Sequence, residues 1–246
     1  MSGHSHWAKI KRAKGANDAK RGKIWSKIAR KIIIAARAGG GDPRENLTLR
    51  YTIDEARGAN MPKDTIEKAI AKGTGEAGAE QFESLVYEGY GPAGVAFLVE
   101  VLTNNRSRTA PEMRKIFESH GGRFASSGAV AFQFGKFGMI AVKTDAVSED
   151  DLLEKALDAG AEDVKNAGEV YEVITTPTAF HKVKEALTAA KVPIEASEIT
   201  YVPNVTIPVQ GEAAQKVLRL VDALEDHDDV QSVSHNAEIP ETAEVK

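Results

Sequence analysis

The residues that could do chemistry are few, and the densest set is Glu225-Asp226-His227-Asp228-Asp229. Carboxylates and an imidazole at this spacing are side chains that a divalent cation accepts as ligands. Acidic runs are also common in exposed turns, and the surrounding hydrophobic pattern places this one between a helix and a strand. We interpret the run as a solvated turn, with a cation site as the alternative.

No set of side chains has the spacing of a catalytic site. The adjacent carboxylates Asp150-Asp151 and Asp228-Asp229 point apart on a helix or a loop, and His120, before two glycines, suits a helix C-cap. The chain contains no cysteine, which removes thiol nucleophiles, thiolate zinc sites and disulfides. We predict that the protein is not an enzyme and has no catalytic residue, cofactor or resident metal; an enzyme site in an interdomain cleft is the alternative.

The extreme N-terminus leaves one metal question open. If Met1 is removed, Ser2-Gly3-His4 places an imidazole at the third position behind a free amine. Such a set of nitrogen ligands suits the square-planar geometry of Cu(II) and Ni(II). The sequence does not decide whether the protein uses it.

Two glycine-rich stretches match the G-x-G-x-x-G pattern of dinucleotide sites, Gly73–Gly78 and Gly89–Gly94. A dinucleotide site needs a strand before the glycines and a helix after them. The first stretch follows a helical pattern and indicates a C-cap running into a linker. The second lies between two strand patterns and predicts a β–β turn, so neither is expected to bind a nucleotide.

Basic side chains are concentrated at the N-terminus. Residues 1–75 carry 17 basic and 7 acidic side chains, a net charge of +10, whereas residues 76–246 carry 15 and 29, a net charge of −14. This asymmetry indicates a polyanionic partner for the N-terminal region, usually nucleic acid. The alternative is a solvated basic tail. The predicted nucleic-acid-binding residues are Lys9, Lys11, Arg12, Lys14, Lys20, Arg21, Lys23, Lys27, Arg30 and Lys31.

Helical periodicity organises this basic region. Residues 2–22 are polar and weakly periodic, which predicts an arm that is poorly ordered when free. From Lys23 to Arg37, isoleucines fall on one side and Lys23, Lys27 and Arg30 on the other, which predicts an amphipathic helix with one cationic face. A second helix is expected to start at Asp42-Pro43, and a third to run from Pro62 to Gly73.

The remainder of the chain predicts two α+β domains. Strands at 139–143, 163–166, 170–175 and 194–202, with helices at 148–159 and 177–191, follow the ferredoxin-like order βαββαβ. Strands at 82–88, 95–102, 129–134, 205–209 and 230–235, with helices at 109–119 and 211–224, form a second such unit around the first.

The predicted fold class is therefore α+β: an N-terminal three-helix domain with a basic arm, followed by two ferredoxin-like α/β domains, one inserted in the other. The domain limits are 1–76, 77–134 plus 204–246, and 135–203 for the insertion. Sheets of this kind carry helices on one face, so we expect the other face to be free for a partner.

The sequence also predicts the compartment. No apolar run approaches the roughly 18 residues of a membrane span, and the basic N-terminus lacks the apolar segment of a secretory signal. The absence of cysteine fits a reducing cytosol. We expect a cytoplasmic protein with no membrane partner, and the acidic body is a candidate surface for a protein partner.

Several motifs together resemble one known family along the whole chain. Gly3-His4-Ser5-His6-Trp7-Ala8 resembles the family's Gly-His-Ser-Lys-Trp-Ala; the other matching motifs are Asp18–Lys23, Gly39–Pro43, Asn60–Asp64, Tyr87–Pro92 and Thr103–Thr109. The chain is similar to the YebC/PmpR family, which includes the mitochondrial translational activator of cytochrome c oxidase. It departs from the family at His6, where Lys is usual, and at Leu47-Thr48-Leu49-Arg50, where the family has Pro-Arg-Leu-Arg.

The resemblance implies three domains, no enzymatic activity and two functional interpretations. Bacterial members are generally described as probable DNA-binding transcriptional regulators, and others resemble translation factors that help the ribosome through proline-rich nascent sequences. A transcription factor normally inserts a base-reading helix into the major groove, but the helix from Lys23 to Arg37 has Lys and Arg and no Asn or Gln. The residues themselves leave DNA and ribosomal RNA both open as partners.

For either nucleic acid, replacing Lys9, Lys11, Arg12 and Lys14 together with Gln should weaken binding and flatten its salt dependence by several units of slope, because each phosphate contact releases counterions. A titration of labelled nucleic acid at several KCl concentrations measures both quantities. Unchanged affinity and slope would show that the arm does not contact phosphate.

Overall fold

Three groups of elements each close on an apolar core. The structure, a computed structural model, describes residues 21–75 and 81–240. Residues 2–20 of the predicted basic arm, and with them Ser2-Gly3-His4, lie outside the described residues, whereas residues 21 and 22 already belong to the first helix. The three cores belong to the N-terminal helices, to a first sheet with its helices, and to a second sheet with its helices.

The N-terminal domain consists of three helices around branched aliphatic side chains. They are α1 (Arg21–Gly39), α2 (Leu47–Gly58) and α3 (Lys63–Gly73). Ile28 and Ile32 of α1, Leu49 of α2 and Ile66 of α3 are buried together, which confirms the amphipathic pattern of the sequence. The C-terminus of α3 packs directly on α1, where a Cβ on Gly73 would lie 2.6 Å from the carbonyl oxygen of Ile33.

The predicted start of the second helix at Asp42-Pro43 is wrong. The helix starts at Leu47, where the family's proline would stand, and its N-cap is Asn46, whose side chain accepts a hydrogen bond from the Leu49 N–H at 3.0 Å. The same buried side chain donates to the carbonyl oxygens of Ala35 (2.7 Å) and Gly40 (2.8 Å). Asn46 therefore ties the end of α1 to the start of α2, a contact that local sequence pattern does not contain.

The second domain is a four-stranded antiparallel sheet with two helices on one face. Its strands are β1 (Glu83–Tyr90), β2 (Ala96–Thr103), β3 (Arg123–Ala125) and β9 (Val230–His235), and its helices are α4 (Arg106–Ser119) and α7 (Gly211–Glu225). The strand order is β3-β1-β2-β9. In a ferredoxin-like βαββαβ sheet, the third strand lies between the first and the second. Here that place is taken by β1, which precedes the unit β2–α4–β3 along the chain. Gly89 is near the end of β1, and Gly91 and Gly94 lie in the β1–β2 connection, which confirms the predicted β–β turn.

The predicted strand at 129–134 is not formed. Residues 131–133 are a 3₁₀ helix, and the backbone N–H groups of Gly128, Val130 and Ala131 donate to the buried carboxylate of Glu88 at 2.6–2.9 Å. Burial would raise the pKa of Glu88, but these three hydrogen bonds outweigh it and lower the pKa. Since the segment's donors are used by a side chain of β1, they are unavailable to a neighbouring strand.

The inserted domain has the predicted ferredoxin-like order without permutation. It runs β4 (Phe134–Lys143), α5 (Glu149–Ala159), β5 (Asp163–Asn166), β6 (Val170–Thr175), α6 (Phe180–Ala189) and β7 (Ile194–Pro203), with sheet order β5-β6-β4-β7. Ser148 caps α5 by accepting from the Asp151 N–H at 3.3 Å. The chain then returns through β8 (Ile207–Pro208), which pairs in parallel with β10 (Ala237–Glu238) instead of extending the main sheet.

The face of the first sheet that was expected to be free is partly covered. Ala96 and Leu98 of β2 are buried there with Val130 and Phe134, and Tyr201 of the inserted domain packs beside them. Across the same junction, Lys136 reaches Glu100 at 2.8 Å. The second and inserted domains therefore contact each other through this face. The residue limits of the three domains stay a prediction.

Within the described ranges, none of the helices has both the length and the apolar character needed to cross a membrane.

Asn46→Asp should destabilise the N-terminal domain by about 2–3 kcal/mol, because Asp keeps the N-cap acceptor but loses both donations and faces two carbonyls with a carboxylate. Both tryptophans lie in residues 1–75, so urea unfolding followed by tryptophan fluorescence reports on this domain. Asn105→Asp is the control, because the Asn105 side chain caps α4 of the second domain by accepting from the Arg108 N–H and should change stability by less than about 0.5 kcal/mol. Both variants are also followed by far-ultraviolet circular dichroism, since no tryptophan lies in the second domain. Equal effects of the two substitutions would contradict the role given to the Asn46 donations.

Candidate nucleic-acid interface

The structure describes the side chains of four of the ten predicted binding residues. Lys9, Lys11, Arg12, Lys14 and Lys20 lie outside the described residues, and Arg21 is the first residue of α1. Lys31 pairs with Glu55 of α2 at 2.8 Å and so braces the N-terminal domain itself. Lys23, Lys27 and Arg30 lie along one stripe of α1, which we call the cationic stripe.

The cationic stripe lies against the acidic run of the second domain. This run, Glu225–Asp229, connects α7 to β9, and we call it the acidic turn. Each of the three residues of the stripe contacts this turn. Lys23 Nζ lies 2.6 Å from Asp226 Oδ1, Lys27 Nζ donates to the Glu225 carbonyl at 2.6 Å, and Arg30 donates to the Asp228 carbonyl and lies 3.3 Å from Asp229 Oδ1.

Lys27 is the most desolvated amine of the stripe. Burial lowers the pKa of Lys27, and the neighbouring charge of Lys23 lowers it further. The carboxylates of Glu225, Asp226 and Asp228 act in the opposite direction. The acidic turn thus supplies the negative charge that a buried ammonium group requires, although the Lys27 hydrogen bond itself goes to a backbone oxygen.

Asp229 connects the stripe to the interior of the second domain. Its carboxylate is almost fully buried and accepts from Arg108 Nη2 at 2.7 Å and from Thr109 Oγ1 at 2.8 Å, while Arg30 approaches its other oxygen. Burial alone would raise the pKa of Asp229, but the hydrogen bonds from Thr109 and Arg108 outweigh it and lower the pKa. Asp229 is therefore charged and serves both the interior and the interdomain contact.

His227 has both ring nitrogens engaged. Nδ1 accepts from the Asp229 backbone N–H at 3.1 Å, which leaves Nε2 to donate to Glu112 at 3.0 Å. A histidine held in this way orders the turn and offers no free lone pair for proton transfer. His120 also has its predicted structural role, with Nδ1 on the Ile116 carbonyl at 2.8 Å at the end of α4.

The acidic run is a turn between a helix and a strand, as interpreted, and Asp226 and Asp228 are exposed, but the turn as a whole is not solvated. Asp229 is only 2% exposed, and the turn is the docking surface of a helix from another domain. Both parts of this contact, a basic helix and an acidic run, are recognisable in the sequence. Their pairing is not, because 198 residues separate Arg30 from Asp228. In the part of the chain that the structure describes, no group of three or more His, Cys, Asp or Glu residues is placed to hold a metal ion.

A second contact joins the N-terminal domain to the inserted domain. Tyr51 of α2 stacks on His181 of α6 with ring centroids 3.4 Å apart and an interplanar angle of 1°. Glu185 accepts from the Tyr51 hydroxyl at 2.8 Å and from Arg50 at 2.7 Å. None of these four residues was predicted as functional, since neither their spacing nor their local charge distinguishes them in the sequence.

The fold and this arrangement define a class: a helical basic domain attached to two ferredoxin-like domains, one inserted in the other. Residues 5–76 match the family model described as the TACO1/YebC protein N-terminal domain, and residues 82–237 match the model for the TACO1/YebC second and third domain. The chain belongs to the TACO1/YebC family, as the sequence motifs predicted.

Similar proteins cover nearly the whole chain. A protein of Acidithiobacillus ferrooxidans named "probable transcriptional regulatory protein" is 54% identical over 239 residues, covering 97% of this chain and 95% of its own. A protein of the same name from Treponema denticola is 50% identical over 245 residues, covering 100% and 99%. The crystal structure of a conserved hypothetical protein from Aquifex aeolicus, 49% identical, matches with a TM-score of 0.82 over 91% of this chain and 92% of its own.

Lowering the pH should weaken the contact between α2 and α6. Burial, followed by the charges of Lys184 and Arg50, lowers the pKa of His181, while Glu185 opposes them; Tyr51 covers the ring, and the buried Nδ1 has no hydrogen-bond partner. The docked state therefore binds fewer protons than the released state. Its stability is fully present above the ordinary histidine pKa of about 6.5 and decreases as the pH falls below it.

Energy transfer between dyes at Glu45→Cys and Ala189→Cys measures this contact, because the chain has no other cysteine. Transfer should fall between pH 7.5 and 5.5 in the native sequence and stay constant in His181→Phe, which keeps a stacking ring that takes up no proton. The same pH dependence in both proteins would show that His181 is not the group responsible.

Proposed function

We propose that this protein is a non-enzymatic regulator of gene expression that binds nucleic acid through its N-terminal domain. The observation that carries the proposal is the charge separation, +10 over residues 1–75 against −14 over the remainder. A polyanion is attracted to one end of such a molecule and repelled by the other, which fixes its orientation on approach. The relatives named "probable transcriptional regulatory protein" support the regulatory role, and DNA is accordingly the first candidate ligand.

The mode of binding that these residues support is contact with the phosphate backbone. The cationic stripe and the basic residues before it are all Lys or Arg, which neutralise phosphates without reading base sequence. Helix α1 contains no Asn or Gln to bond with base edges. Sequence preference, where it exists, would then come from the shape of the nucleic acid or from a partner protein on the acidic domains.

The same observation favours a second candidate, a translation factor that binds ribosomal RNA. Irregular RNA is recognised largely by shape, backbone and 2′-hydroxyl contacts, which a Lys-rich segment on a small helical domain can supply. In this case the protein would act on the ribosome at difficult, proline-rich nascent sequences.

An enzyme site between the domains is the least supported alternative. The polar groups at the junction are engaged with each other: His227 through both nitrogens, and Asp229 through Arg108, Thr109 and Arg30. Such a network satisfies its own hydrogen bonds and presents no activated nucleophile. We further propose a cytoplasmic location, where both candidate nucleic acids are found, and no membrane partner.

Ultraviolet crosslinking in cells, followed by sequencing of the attached DNA and RNA, tests the proposal. A regulator that acts on DNA should give discrete promoter sequences with ribosomal RNA at background. Dense crosslinks to ribosomal RNA would select the translation factor instead. A protein with Lys9, Lys11, Arg12 and Lys14 replaced by Gln is the comparison. Crosslinks that do not depend on these four residues would show that the arm is not the contact, and no crosslinks to either nucleic acid would refute binding through the N-terminal domain.

A further inference from the structure

We propose that the acidic turn is an internal competitor of nucleic acid: it occupies the cationic stripe of α1 in the unbound protein and is displaced by phosphates on binding. The inference rests on the proposed function and adds a regulation to it. It gives the acidic second domain a defined role, which is to set how readily the N-terminal domain binds.

The acidic turn offers the cationic stripe the same kind of acceptor atoms as a phosphate backbone. Lys23, Lys27 and Arg30 lie on successive turns of α1 and span about 10 Å at 1.5 Å per residue. Every acceptor they contact on the turn is an oxygen, from the Asp226 and Asp229 carboxylates and from backbone carbonyls. A nucleic-acid backbone offers the same atom type at comparable density, so the two ligands are mutually exclusive on this stripe.

The exposure of the contact makes it reversible. The Lys23 and Asp226 side chains are 43% and 53% exposed, and ion pairs of this kind are weak and screened by salt. The Arg30 contact with Asp229 is more buried, at 19% and 3% exposure. Among the described residues of the second domain, only the half-buried Phe82 packs against the apolar core of the N-terminal helices, so the contact with the turn is mainly polar.

Release of α1 leaves no buried charge unpaired in the second domain. Asp229 keeps its hydrogen bonds from Arg108 and Thr109, both of which belong to α4 of the same domain. His227 likewise keeps its bonds to the Asp229 backbone and to Glu112. On the turn, Asp226 loses Lys23 but is exposed to water, and Asp229 loses only Arg30. On α1, the groups that lose partners are Lys23, Lys27 and Arg30, which a phosphate backbone would satisfy.

The test removes two of the four carboxylates of the acidic turn and leaves Asp229 in place. Asp226→Asn with Asp228→Asn removes two exposed carboxylates beside the stripe, and Glu154→Gln with Asp158→Asn removes two exposed carboxylates from α5 as the charge-matched control. The probes are a fluorescein-labelled 30-base-pair DNA duplex and a 30-nucleotide hairpin RNA, titrated at several KCl concentrations. Dyes at Glu45→Cys and Ser119→Cys report the distance between the N-terminal and second domains by energy transfer.

Of the two probes, we use the one that the native sequence binds more tightly. We expect the turn variant to bind it at least about fivefold more tightly than the control does, since in a larger fraction of the variant molecules the stripe is free to bind. Its energy transfer without nucleic acid should be lower than that of the control, and saturating the native sequence with the probe should lower its transfer as well. If Asp226→Asn disturbs the fold, Asp228→Asn alone keeps the test, because no hydrogen bond among the described residues uses the Asp228 side chain, while its charge still acts on Lys27.

Two failures can be told apart. If the native sequence binds a probe but the turn variant binds like the control, or energy transfer is unchanged at saturation, the competition is refuted and the proposed function stands. If neither the native sequence nor any variant binds either probe, both are refuted.

Discussion

The arrangement of the domains depends on one electrostatic constraint: a chain with opposite charges at its two ends must either pair them or keep them apart. Here they are paired, with Lys23, Lys27 and Arg30 of α1 on the acidic turn. The pairing is made by a turn whose own geometry is fixed from inside, through Asp229 on Arg108 and Thr109. A flexible acidic loop would lose conformational entropy on meeting the helix, whereas this turn is already ordered to receive it.

The polar network around Asp229 also explains why the acidic body can lie beside a basic domain without a large apolar interface. A buried carboxylate is costly unless it is fully hydrogen-bonded, and Asp229 has partners within its own domain. Arg30 adds a charge partner from outside and is itself placed over Phe82, with the guanidinium carbon 5.9 Å from the ring centroid. The junction is therefore stabilised by directional polar contacts to oxygen atoms, which phosphate oxygens could replace.

Much of the fold followed from local sequence pattern, and the parts that did not were those set by long-range contacts. Isoleucine periodicity predicted the three N-terminal helices, and the inserted domain agrees strand by strand with its predicted order. The start of α2 was misplaced because Asn46 bonds to residues of α1, and the strand at 129–134 was wrong because Glu88, some 40 residues earlier, takes its backbone donors. For the candidate site, composition identified the cations but not that three of them are engaged by the second domain.

The net charge of −4 therefore does not describe the surface that a polyanion contacts. The salt dependence of binding likewise does not directly count the phosphates that the protein contacts. Salt screens the pairing of the stripe with the acidic turn as well as its pairing with phosphate. When nucleic acid replaces the turn, the three cations exchange the oxygens and the nearby negative charge of the turn for phosphates, so fewer counterions are released than there are phosphate contacts made. A salt slope read directly as a number of phosphates would then count the basic residues outside the docked stripe and undercount the stripe itself. The contribution of the stripe is separated from that of the other basic residues by comparing two salt slopes, that of the native chain and that of the chain with Asp226→Asn and Asp228→Asn.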